Sequence, residues 1–138
     1  MDKKRESNGN KLIDVAKRNL FEMRAMFASQ HYYGTVNRAY YAMFHAVSAL
    51  LLLEGLRFKK HMSLISAFGR DYAKTGAVPR EYHQLLNKAY ETRNKVDDDV
   101  DMIIDRELAE VYCQKAEELV AFIEQKIHQK NSHAGKPP

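Results

Sequence analysis

A single cysteine, Cys113, among 138 residues excludes an internal disulfide and a cysteine-rich zinc site. It fits a reducing, cytoplasmic compartment. Proline is almost as scarce: two of three close the terminal stretch "KNSHAGKPP", and only Pro79 lies within the body of the chain. No segment alternates apolar and polar residues for long, which excludes strands. The longest apolar-looking run, "AYYAMFHAVSALLLLEG", is broken by His45 and Ser48. It falls short of the roughly 20 apolar residues a membrane span needs, so it reads as a buried helix and no membrane association is expected. The opening "MDKKRESNGN" has no apolar core behind its charges, so no secretory signal is expected. A Gly-rich phosphate loop, a Ser–His–Asp arrangement and a DNA-reading motif are all missing. No Glu has a His three residues on, as a paired di-iron site would need.

What is present is the composition of one soluble globular domain, with 45% hydrophobic and 29% charged residues. The net charge of +4 is unevenly placed. Residues 1–70 hold 12 Lys/Arg against 5 Asp/Glu, a balance of +7, and residues 71–138 hold 10 against 13, a balance of −3. A basic half suits phosphates or an acidic partner, and it equally suits an ordinary solvated surface.

The periodicity predicts an all-α, up-and-down bundle of four or five helices with short connections. A flexible segment 1–10 precedes the helical domain, residues 11–128, and a disordered tail covers 129–138. The first helix spans 11–30, with Leu12, Ala16, Leu20, Met23 and Phe27 on one stripe. "HYYGT" interrupts it, and Thr35 is placed to cap a second helix over 36–54 that stops at Gly55. A third covers 62–74 and ends at Gly76. Pro79 opens a fourth, to about Val96. Asp105 caps a fifth, along which Leu108, Tyr112, Ala116, Leu119, Ile123 and Ile127 align. The second helix is apolar around most of its circumference, leaving a strip of Asn37, Arg38, Tyr41, His45 and Ser48. Such a helix is covered on several sides. A second copy of the chain would do this, so a homodimer is expected; the alternative is a central helix wrapped by its own bundle.

The stretch "AYETRNKVDDDVDM", residues 89–102, runs an arginine into four aspartates in an otherwise basic chain. Asp97, Asp99 and Asp101 match the first ligand positions of a calcium loop. Met102 stands where that loop needs glycine and Leu108 where it needs a bidentate glutamate, so no metal or cofactor is expected. Arg93 shares a stripe with Tyr82, Leu86, Ala89 and Val96. A guanidinium on an apolar face needs a partner. Asp97, one turn on, would pair with it inside the bundle; a phosphate held in a crevice would serve as well. His61 follows Arg57, Lys59 and Lys60, and this basic turn at a helix start suits either an anion or a solvated loop. Nothing marks Cys113 as a nucleophile.

Three blocks in order, "VNRAYYAMFHAVSALLLLEG", "KKHMSLISAFGRDYAKTG" and "AYETRNKVDDD", resemble the HEPN family (higher eukaryotes and prokaryotes nucleotide-binding), in particular its small stand-alone prokaryotic branch. The resemblance covers about residues 11–125. It implies a dimerising helical bundle, association with a minimal nucleotidyltransferase in a toxin–antitoxin-like pair, and in some members metal-independent ribonuclease activity. The ribonuclease motif is an arginine, usually with a polar residue behind it, and a histidine after four to six intervening positions. Arg93 and Asn94 match its start. The histidine positions hold Asp98, Asp99 and Val100. The stand-alone branch often reads arginine, three residues, aspartate, tyrosine; Arg93 and Asp97 fit this, and Asp98 stands in the tyrosine place.

These residues are first read as a non-catalytic module that binds a nucleotide, RNA or protein partner. Its candidate ligand-binding residues are Arg93, Asn94, Asp97, Arg38, Tyr41 and His61. A ribonuclease toxin is the second reading, with Arg93, Asn94 and Asp98 as catalytic residues and an aspartate of raised pKa in place of the histidine. The third is a purely structural interaction bundle.

Overall fold

The computed structural model describes the backbone of residues 3–98 and 103–134, and the side chains of residues 3–95 and 103–131. Helices α1 (Lys3–Ala28), α2 (Tyr32–Leu52), α3 (His61–Phe68), α4 (Arg80–Asp98) and α5 (Arg106–Ala134) follow one another, and a π-helical turn, Gly69–Ala73, extends α3. No strand occurs among the described residues. Arg24 of α1 reaches Glu110 and Glu117 of α5, while Lys17 pairs with Glu124, so α1 and α5 run antiparallel. Thr92 meets Tyr112 and Tyr82 packs on Phe122, which sets α4 antiparallel to α5. The architecture is the expected all-α, up-and-down bundle.

Local signals explain the boundaries. After α1, Gln30 takes φ 64°, its N–H bonding Phe27 O and that of His31 bonding Met26 O. That pair of bonds is the Schellman stop, formed here without glycine. At the end of α2 the same stop uses Gly55 at φ 78°, with Gly55 N–H to Leu52 O and Leu56 N–H to Leu51 O. Asp105 caps α5 as expected, its Oδ1 accepting from Leu108 N–H at 2.8 Å.

Several expectations are corrected. From Lys3 onward the segment expected to be flexible is helical, and Gly9 is buried in it. The tail expected to start at 129 continues α5 through Ala134; residues 135–138 lie outside the described residues. Thr35 does not cap α2, which starts three residues earlier. It is buried within the first turn, and its hydroxyl donates to His31 O at 2.8 Å. Leu108 is exposed and Ala109 buried, because α5 is rotated slightly from the assumed stripe. Cys113 is buried, which pushes its thiol up to about 11 and keeps it protonated.

Helix α2 packs against all four other helices. Ala39, Tyr40, Ala42, Met43, Ala46, Val47, Ala49, Leu50 and Leu51 are all buried there. The chain itself therefore covers the apolar circumference that had suggested a second copy. No described helix is long and apolar enough to cross a membrane.

Candidate functional site

Tyr41, from the polar strip of α2, faces the start of α3 and the last turns of α4. Tyr40 and Tyr41 come from α2, His61 opens α3, and Tyr90 and Arg93 sit one turn apart on α4. With Lys59 and Lys60 from the preceding loop, Tyr41, His61, Tyr90 and Arg93 line an open cavity of about 470 Å³.

Arg93 lies against aromatic faces. Its Cζ is 4.9 Å from the Tyr41 ring centre and 5.6 Å from that of Tyr40. Among the described residues no carboxylate pairs with it. Cation–π contact orients the guanidinium plane without itself using up its hydrogen-bond donors. The Asp97 and Asp98 side chains, and residues 99–102, lie outside the described residues, so the proposed Arg93–Asp97 pair and the aspartate run do too.

His61 is fixed as firmly. Its ring stacks on Phe44 at 4.3 Å, and its Nδ1 lies 2.7 Å from the hydroxyl of buried Tyr40. A tyrosine hydroxyl both donates and accepts, so it holds the imidazole in either tautomer. Burial first, and the Arg93 charge second, push the His61 pKa below its usual value. His45, beside Tyr41, is lowered by burial and then by His61. Both imidazoles are consequently neutral at pH 7. The arrangement combines fixed positive charge, aromatic faces for stacking, and an oriented neutral imidazole.

The other sequence candidates sit elsewhere. Arg38 turns towards α1, with Nη1 3.3 Å from Asn19 Oδ1 and Nε 3.5 Å from Glu22; it does not line the cavity. Asn94 is exposed and does not line it either. Tyr90 was not singled out, although its place three residues before Arg93 puts both on one face. Tyr40 lies outside the polar strip read from the second helix. It is indeed buried, yet its hydroxyl reaches the site.

The HEPN domain model matches residues 10–126 of this chain. The chain belongs to the HEPN family. A UPF0332 protein of Thermotoga maritima is 35% identical over 112 residues, covering 81% of this chain and 85% of its own length. Two proteins of Methanocaldococcus jannaschii, named as candidate toxins, are 35% and 34% identical. Those matches cover 84% and 76% of this chain, and 86% and 71% of the relatives. The site described above falls wholly inside the matched HEPN region.

Proposed function

We propose that this HEPN protein binds a nucleotide or RNA through the Arg93 cavity. The observation that carries this reading is Arg93 itself, held on two tyrosine rings, with no described carboxylate partner, beside Lys59 and Lys60. Phosphate suits the guanidinium fork and the ammonium pair, and a base suits the half-buried rings of Tyr41 and Tyr90 that line the cavity. The toxin names of the M. jannaschii relatives support a toxin-like role. The family resemblance supports a homodimer and a minimal nucleotidyltransferase as partner.

Phosphodiester cleavage is a second reading, favoured by His61. The absence of a histidine from the α4 motif had argued against catalysis, yet a neutral, oriented imidazole borders the same cavity from α3. A neutral imidazole held in place beside the cavity can accept a proton in general-base catalysis.

One assay separates these readings: labelled single-stranded RNA at low salt with EDTA present, followed for binding and for cleavage. Arg93→Ala is expected to weaken binding by about tenfold or more, as for a lost hydrogen bond to a charged group. Unchanged affinity would remove the cavity from consideration. Cleavage that disappears in His61→Gln while binding persists establishes the second reading. Intact RNA bound by the wild type leaves a binding module.

A further inference from the structure

A second cavity adjoins the first along the α3–α4 face. It measures about 360 Å³ and is bounded by Met62, Gly69, Arg70, Lys74, His83 and Asn87. Two features of the chain create it. Helix α3 widens into the π-helical turn at Gly69–Ala73, a distortion that often marks functional sites. Gly69 leaves room for the His83 ring, since a Cβ there would lie 2.6 Å from its Nε2.

Met62 lines both cavities and is 45% exposed, so it forms a low, polarisable ridge between them. At 1.5 Å rise per residue, Asn87 lies about 9 Å and His83 about 15 Å along α4 from Arg93. Positive charge continues across the ridge. Arg70 is tied to Asp71, Nε to Oδ1 at 3.0 Å, whereas Lys74 has no ion-pair partner among the described residues. Lys74 is thus, among the described residues, the cation of the second cavity without an ion-pair partner. His83 and Asn87 add groups that can meet the polar edge of a base.

We propose that the two cavities are successive subsites for one single-stranded polynucleotide. One nucleotide sits at Arg93 between the tyrosine faces, and the next crosses Met62 to Lys74, His83 and Asn87. The proposal rests on the nucleotide reading of the first cavity and names its ligand class as a strand rather than a mononucleotide. A mononucleotide fills only the first subsite. A strand engages the second intramolecularly, at high effective concentration.

The test is fluorescence anisotropy with the full chain, comparing labelled AMP with a labelled single-stranded RNA of about six nucleotides. The strand is expected to bind at least about tenfold more tightly. Lys74→Ala combined with Asn87→Asp should abolish that gain, flatten the salt dependence of strand binding, and leave AMP affinity within about twofold. Both side chains lie outside the core, and thermal melting checks that the variant is folded. Equal wild-type affinity for AMP and the strand overturns the second subsite while sparing the first. A gain that survives in the double variant, or a variant that loses AMP binding as well, overturns it too. If the wild type binds neither probe, the Arg93 reading fails and this one falls with it.

Discussion

At the scale of single residues, the site works by holding polar groups on aromatic surfaces. Arg93 rests on Tyr41 and Tyr40, His61 on Phe44, and His45 on Tyr41. Sequence spacing had put Arg93 on an apolar stripe and required a partner for it. Among the described residues its contacts are a pair of rings, which a rule that matches charges along one helix does not anticipate. The two imidazoles set a pH dependence. Both have folded pKa values below the unfolded value of about 6.5, so under acid the unfolded chain binds protons that the fold resists. Their contribution is in place above that value and lost as pH falls below it. Urea midpoints at pH 7.5 and 5.5 should therefore drop more in the wild type than in a His45→Gln, His61→Gln double variant. Equal drops would mean that neither histidine is held neutral by the fold.

At the scale of elements, the stops were more legible than the starts. Gly55, Gly76 and the Asp105 cap sit where the sequence placed them, because each acts through its own backbone or a neighbouring N–H. The start of α1 was misplaced by eight residues. "ESNGN" contains poor helix formers, and intrinsic propensity argued for a loop. Packing against α2 overrides it: Gly9 is buried, and a Cβ there would meet only Ala49 O at 3.9 Å, an ordinary contact. Gly9→Ala should thus stabilise the protein by about 0.5–1 kcal/mol, the usual cost of glycine inside a helix. Chemical denaturation measures this directly, and a destabilised variant would show that the first turns of α1 are not packed as described.

At the scale of the whole molecule, the uneven charge finds a structural use. Basic α1 lies along acidic α5, so Lys17 and Arg24 are compensated by Glu124, Glu117 and Glu110. These are partly exposed pairs and each contributes little to stability. Lys59, Lys60 and Arg93 line the first cavity, and among the described residues they have no ion-pair partner. A homodimer, which the family resemblance implies, would need an apolar surface that the chain leaves uncovered. Ile103 at 81%, Val111 at 47% and Leu108 at 37% exposure are apolar side chains left uncovered around the start of α5. Sedimentation equilibrium is expected to give twice the 16.0 kDa of one chain. A monomer at micromolar concentration would leave each cavity to act alone.

Sequence by itself determined the class of fold and the order of the helices, and it singled out Arg93 as a candidate. Periodicity, caps and glycine stops are local, and they act over one or two turns. Only the tertiary structure decided which groups share a site. His61 and Arg93 are 32 positions apart, and it is the packing of α3 and α4 on α2 that brings them to one cavity. The same packing sent Arg38 to Glu22 instead, and it covered α2 with the chain's own helices. Contacts between helices depend on how far each is rotated and where it crosses its neighbours, and no stripe read along one helix carries that information.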